Sequence, residues 1–180
     1  MTAAFRDYLT LCKPRVVLLM LLTVWAGMYL ASTAPIPMSL WINATLGIAL
    51  LSGAAATLNH IIDQHVDAVM ERTKYRPIAA GRLTTRAALI FACIQSLIGF
   101  VILYVFVNSL TAWLTFLAAV GYSIVYSLYL KRATSQNIVI GGLSGAMPPL
   151  LGWTAVSGTL DPESWLLVLI IFTWTPAHFW

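Results

Sequence analysis

Charged residues are scarce in this sequence. Only 9% of its 180 residues are Asp, Glu, Lys or Arg, whereas 60% are hydrophobic, and the mean hydropathy is +0.86. Ordinary soluble domains are about one-quarter charged, and so few charges do not cover the surface of a soluble protein with polar groups. The composition therefore excludes a soluble enzyme, a disordered chain and a conventional nucleic-acid-binding module.

Paired cysteines and alternating strands are also lacking. The two cysteines, Cys12 and Cys93, lie far apart in apolar surroundings, which gives neither a disulfide framework nor a metal-ligand spacing. The long apolar runs show none of the period-two alternation that membrane β-barrels require. We therefore expect an all-α fold, a polytopic transmembrane helical bundle.

Four windows contain no charged residue at all: 16–62, 87–130, 133–160 and 164–180. A bilayer-spanning helix needs about 20 mostly apolar residues, so the first two windows each accommodate two spans. Turn signals at Ala34-Pro35-Ile36-Pro37 and at Asn108-Ser109 divide them. We predict a single membrane domain over 1–180 with about six helices, at 15–33, 39–62, 87–107, 110–130, 137–156 and 164–180.

The basic residues follow the same division. All ten fall before or at the first residue of the first predicted helix, between the second and third, or between the fourth and fifth, whereas Asp161 and Glu163 lie between the fifth and sixth. The positive-inside rule places the connections rich in Lys and Arg in the cytoplasm. The distribution of basic residues therefore indicates a cytoplasmic N-terminus. We attribute the net charge of +4 to this orientation and expect no nucleic-acid partner.

Polar residues are concentrated at the inner end of the second predicted helix. Asn59, Asp63 and Asp67 are spaced i, i+4 and i+8, so they form one narrow stripe if the helix continues. Two carboxylates one turn apart repel each other and are costly at a membrane edge, which points to a compensating cation. Oxygen ligands favour Mg²⁺, which commonly bridges carboxylates to a phosphate substrate. We predict that these three residues bind the metal and act in catalysis.

Arg72, Lys74 and Arg76 follow the stripe closely. Arginine recognises phosphate through two hydrogen bonds and lysine supplies a point charge, so these residues predict a site for the diphosphate of a lipid-tailed substrate. Lys131 and Arg132 lie on the same side and are further candidates, although membrane anchoring explains them as well. The alternative is that Asp63 and Asp67 only cap a helix or pair with Arg72 and Arg76.

Longer segments around these residues resemble a known family. Asn59-x₃-Asp63-x₃-Asp67, followed by residues 70–77 (MERTKYRP), is similar to the first aspartate-rich motif of the UbiA-type intramembrane prenyltransferases. Segments 148–153 (PPLLGW) and 175–180 (TPAHFW) resemble the branch of that family that modifies heme.

The resemblance implies transfer of a farnesyl group from farnesyl diphosphate to a vinyl group of heme B, which gives heme O and diphosphate. It implies Mg²⁺ as cofactor, a lipid-facing cavity, a place in the bacterial cytoplasmic (inner) membrane, and His178 as a candidate contact on the heme side. Because heme O serves terminal oxidases directly or as a precursor of heme A, the assembly of a terminal oxidase and heme A synthase are expected partners.

The sequence departs from the family pattern at two positions. Gln64 and His65 stand where the family often has Arg and Asp, and we expect His65 to face the surface. The family fold also implies about nine helices and a second aspartate-rich segment after His178. Two alternative functions remain: prenylation of an aromatic quinone precursor, and a transporter or assembly factor that uses Asp63 and Asp67 as a cation site without diphosphate or magnesium.

Overall fold

A computed structural model describes residues 3–130 and 137–179 of the chain. In this part of the chain every regular element is a helix and there is no strand, which confirms the predicted all-α class. The helices are α1 (Ala3–Leu11), α2 (Pro14–Ala31), α3 (Met38–Ile62), α4 (Gln64–Val69), α5 (Thr85–Phe106), α6 (Ser109–Val120), a π-helical segment (Gly121–Leu130), α7 (Asn137–Ala146), α8 (Pro148–Ser157) and α9 (Pro162–Phe179).

Three of the described helices, α2, α3 and α5, are long and apolar enough to cross a membrane. The predicted segment 110–130 is divided, because α6 passes into the π-helical segment after Val120. The predicted segment 137–156 is divided between α7 and α8. The second break falls at Pro148 and Pro149, which are tolerated in the first turn of α8 because that turn needs no amide donors.

Two helix starts are fixed by side-chain caps. The Thr84 hydroxyl accepts a hydrogen bond from the Ala87 amide at 3.2 Å and begins α5. The Asn108 side chain accepts one from the Thr111 amide at 2.8 Å and begins α6. Capping of this kind satisfies amide groups that have no partner within the helix, so the turn signals in the sequence become structural boundaries.

Two short helices, α1 and α4, lie outside the predicted segments. α1 packs beside the C-terminal end of α3 through the buried Leu11, and Tyr8 contacts Phe91 of α5 with ring centroids 4.8 Å apart. The Arg82 guanidinium donates from Nε to the Asp7 carboxylate at 3.1 Å. α1 and the loop 70–84 therefore meet at the same end of the bundle as the C-terminus of α3.

Small residues let the central helices approach each other closely. A Cβ atom on Gly152 of α8 would overlap the carbonyl group of Val24 in α2, and one on Gly27 would overlap the carbonyl group of Pro149. Val24, Met28 and Leu150 around this crossing are fully buried. Backbone contact through glycine is a common means of helix association in membranes, where no hydrophobic driving force acts between helices.

The crossing of α2 and α8 predicts different effects for two similar substitutions. Gly152→Ala should lower the stability of the protein by about 1–3 kcal/mol, because the methyl group forces the two backbones apart. Gly145→Ala in α7 is the matched control, because its Cβ would meet nothing within 4 Å. Thermal unfolding in detergent measures both, and an equal Tm for the two variants would contradict this account.

Candidate functional site

The junction between α3 and α4 keeps a helical register. Asp63 separates the two helices with φ −85° and ψ −1°, and its amide donates to the Asn59 carbonyl at 3.0 Å. The Asp67 amide donates in turn to the Asp63 carbonyl at 2.8 Å. Asn59, Asp63 and Asp67, called the polar stripe below, consequently share one face, and all three are buried, with exposed fractions of 5%, 6% and 4%.

Asn59 connects the polar stripe to two other elements. Its Oδ1 accepts a hydrogen bond from Lys13 Nζ at 3.0 Å. Its Nδ2 donates to Asp63 Oδ2 at 3.3 Å and to Ser127 Oγ at 3.0 Å. The amide thus holds a cation from the start of α2 and a hydroxyl from the π-helical segment against the stripe.

Lys13 reaches Asn59 because of an unusual turn between α1 and α2. Its backbone is left-handed, with φ 49° and ψ 59°, and Pro14 follows as the first residue of α2. A non-glycine residue in this conformation carries strain that the surrounding structure must hold in place. In the sequence, Lys13 is one of the basic residues that indicate membrane orientation, and Lys13-Pro14-Arg15 is one more segment that resembles the family; no contact with Asn59 was predicted for it.

Arg76 contacts the other end of the polar stripe. Its Nη1 lies 2.6 Å from Asp67 Oδ2, and its side chain is 27% exposed against 6% for that of Asp67. Thr73 Oγ1 donates to the Asp67 carbonyl oxygen at 3.2 Å. The loop 70–84 therefore folds back on the stripe and brings a guanidinium group to a buried carboxylate.

The other predicted basic residues are placed differently. Arg72 is exposed. Lys74 pairs with Glu71 at 2.5 Å and its Nζ lies 5.1 Å from the centroid of the Tyr75 ring. Lys131 and Arg132 lie outside the described residues. Among the described basic residues, Lys13 and Arg76 are thus the ones with side-chain hydrogen bonds or ion pairs to the polar stripe.

The three histidines occupy three different environments. His178 is exposed and its ring stacks on Trp174 with centroids 4.3 Å apart. His65 is exposed, and its neighbour Gln64 accepts a hydrogen bond from Thr85 Oγ1 at 2.8 Å. Of the two positions that depart from the family pattern, His65 is thus exposed and Gln64 is hydrogen-bonded to α5. His60, in contrast, is only 3% exposed.

An apolar cavity of about 360 Å³ lies among the helices, with Lys13 in its wall. Helices α2, α3, α6, α7 and α8 and the π-helical segment contribute to its wall, with Ala56, Thr115, Tyr122 and Leu151 among the lining residues. Lys13 both lines this cavity and contacts Asn59. Small-molecule sites typically enclose about 300–1,000 Å³. The molecule thus joins a charged site to an apolar chamber through one lysine.

The donor atoms of the polar stripe fit a hard divalent cation. The carboxylates of Asp63 and Asp67 offer oxygen ligands on this face, the chemistry that Mg²⁺ prefers, whereas Asn59 turns its amide nitrogen toward Asp63 and its oxygen toward Lys13. The described residues contain no group of three or more His, Cys, Asp and Glu side chains that could hold a metal by themselves. Because Mg²⁺ usually takes one or two carboxylates and completes its shell with water and substrate phosphate, two carboxylates suffice as the protein's share.

Comparison with known proteins agrees with the helical architecture. Residues 20–180 match the profile of the UbiA prenyltransferase family. No solved structure matches the chain.

Curated relatives extend the match to almost the whole chain. It is 62% identical over 98% of its length to the protoheme IX farnesyltransferase of Legionella pneumophila strain Paris. It is 59% identical over 99% of its length to that of Hahella chejuensis and 58% identical over 98% to that of Shewanella oneidensis. The chain spans about 60% of the length of these relatives.

The contact between Arg76 and Asp67 predicts unequal roles for two arginines of the same loop. Arg76→Gln should lower stability by about 1–3 kcal/mol, because Asp67 stays buried after losing its cation; partial exposure of Arg76 limits the loss. Arg72→Gln, at an exposed position, should change stability by less than about 0.5 kcal/mol. Thermal unfolding of both variants tests this, and equal losses would contradict the pairing.

Proposed function

This chain belongs to the UbiA prenyltransferase family, and on that premise we propose that it transfers a farnesyl group from farnesyl diphosphate to a vinyl group of heme B. One observation carries the proposal. A buried polar stripe is contacted by Lys13 and Arg76, and Lys13 also lines an apolar cavity of about 360 Å³. The diphosphate of farnesyl diphosphate matches the cations at the polar stripe, and its farnesyl tail matches the apolar cavity.

The choice of heme as acceptor rests on the relatives. Proteins 58–62% identical to the chain carry the name protoheme IX farnesyltransferase. The alternative acceptor, an aromatic quinone precursor, has no such support. His178 is our candidate contact on the heme side; its ring is exposed and stacks on Trp174.

A divalent cation belongs to the proposed site. Proteins of this family generally use a divalent metal to bind diphosphate, and we propose Mg²⁺ held by Asp63, Asp67 and the amide oxygen of Asn59. When bound, the ion supplies positive charge that neutralises the departing diphosphate.

The residues of the chain then perform three tasks. Lys13 and Arg76 supply positive charge near the diphosphate, and Arg72, Lys74, Lys131 and Arg132 are further candidates for its binding. Positive charge fixed in advance stabilises the negative charge that grows on the leaving diphosphate as its bond to farnesyl C1 breaks. The apolar wall keeps water away from the allylic cation.

The new carbon–carbon bond forms between farnesyl C1 and the terminal carbon of the vinyl group. The bonding pair of the broken C–O bond leaves with diphosphate, and a water molecule adds its hydroxyl to the inner vinyl carbon and releases a proton. The products are heme O and diphosphate. Assembly of a terminal oxidase and heme A synthase are the proposed users of heme O.

The proposed location is a bacterial cytoplasmic membrane with a cytoplasmic N-terminus. Three helices of sufficient length and hydropathy support a membrane protein. The meeting of α1, Lys13 and the loop 70–84 at one end of the bundle supports a common side for the first two groups of basic residues, which the positive-inside rule makes cytoplasmic.

The carboxylates of the polar stripe provide the functional test. Asp63→Asn and Asp67→Asn should each lower heme O formation by about 100-fold or more, because each removes charge that holds the metal and the diphosphate. Asp161→Asn, in the loop between α8 and α9, is the matched control and should leave formation unchanged. Heme extraction and chromatography of membranes from cells that express the full-length gene measure the product.

The same measurement separates the competing functions. Absence of heme O with well-folded wild-type protein would overturn the proposal, and a prenylated aromatic product would favour the quinone-precursor alternative. Transport that needs neither diphosphate nor magnesium would favour a carrier. Full activity in either stripe variant would remove that carboxylate from the metal site.

A further inference from the structure

His60 is a buried polar side chain for which the described residues provide no hydrogen-bond partner. It is 3% exposed, and neither Nδ1 nor Nε2 has a hydrogen-bond partner in the described part of the chain. Most buried polar side-chain atoms in proteins are paired, and an unpaired one costs stability. An apolar residue would fill this position at a lower cost in folding free energy, so the presence of an imidazole needs an explanation.

Along α3, His60 lies between Ala56, which lines the cavity, and Asp63. It follows Ala56, which lines the apolar cavity, by one helical turn. It precedes Asp67 by almost two turns in a register that continues through Asp63. The charged groups that act on its ring electrostatically are Lys13, Arg76, Asp67 and Asp63. His60 also directly follows Asn59 of the polar stripe in the chain and lies three residues before Asp63 on the same helical path.

We propose that His60 is a further substrate-binding residue, whose ring N–H donates a hydrogen bond to a phosphate oxygen of the prenyl diphosphate. This inference rests on the proposed function and adds a contact to it. A neutral imidazole carries one N–H donor and one acceptor nitrogen. Its donor adds a hydrogen bond to an anionic oxygen without another charge, and such bonds are stronger than neutral ones.

The proposal explains why a destabilising residue occupies this position. In the ligand-free protein an imidazole with no partner among the described residues costs stability, and diphosphate binding removes part of that cost. His60 therefore exchanges stability of the free protein for affinity toward the substrate. A purely structural histidine would show the opposite pattern, because its loss would weaken the free protein and leave the affinity unchanged.

The test measures binding directly, apart from catalysis. Full-length protein in detergent is titrated with farnesyl diphosphate in the presence of Mg²⁺ and without heme, by calorimetry. His60→Leu should raise the Kd by about 10-fold to 100-fold, as expected for the loss of one hydrogen bond to a charged group. His60→Gln, which keeps an N–H donor, should stay within about 5-fold of the wild type.

The stability of the ligand-free protein is the second readout. The Tm of His60→Leu should equal or exceed that of the wild type, because the substitution removes a buried polar group that has no partner in the described part of the chain. His65→Leu is the matched control, since it changes an exposed histidine five residues away and should leave the Kd unchanged.

The outcomes are distinguishable from a failure of the proposed function. If the wild type does not bind farnesyl diphosphate at all, the proposed function falls and the inference with it. If the wild type binds and His60→Leu binds equally well, His60 pairs with something other than substrate and only the inference is overturned. If His60→Leu both unfolds more easily and binds weakly, His60→Gln decides: restored affinity supports the contact, and affinity that stays weak overturns it.

Discussion

The candidate site depends on the balance of two buried carboxylates by two cations at the end of a membrane-embedded helix bundle. Asp63 and Asp67 lie one turn apart with exposed fractions of 6% and 4%, a position that is unfavourable for like charges. Arg76 pairs with Asp67, and Lys13 is held beside Asp63 through Asn59. This balance brings three separate parts of the chain together: the turn before α2, the end of α3 and the loop 70–84.

Irregular backbone appears where the chain surrounds this cluster. Lys13 adopts a left-handed conformation, α3 gives way to α4 at Asp63, and the π-helical segment presents Ser127 to Asn59. Non-helical or broken backbone at membrane depth is tolerated where protein buries it or where it lines a cavity. The regular and closely packed crossing of α2 and α8 provides the stable frame against which these irregular parts are held.

The spacing of Asn59, Asp63 and Asp67 was sufficient to predict a shared helical face, because near-continuous helical hydrogen bonding fixes which residues align. The class of fold followed equally directly from the missing charges. The roles of Lys13 and Arg76 could not be separated from those of Arg72 and Lys74 by sequence position, since the difference arises from a left-handed turn and a folded loop. The sequence places His60 directly after Asn59, but its burial with no partner among the described residues depends on tertiary packing around the end of α3.

The central claim is that the polar stripe holds a divalent ion together with the diphosphate of a prenyl donor. A crystal structure of the full-length protein with Mn²⁺ in place of Mg²⁺ and a non-reactive thiolo analogue of farnesyl diphosphate tests it most directly. The account predicts an anomalous peak within bonding distance of the carboxylate oxygens of Asp63 and Asp67. It places the diphosphate near Lys13 and Arg76 and the farnesyl tail in the apolar cavity. Manganese bound elsewhere, with both carboxylates facing lipid or bulk solvent, would contradict it.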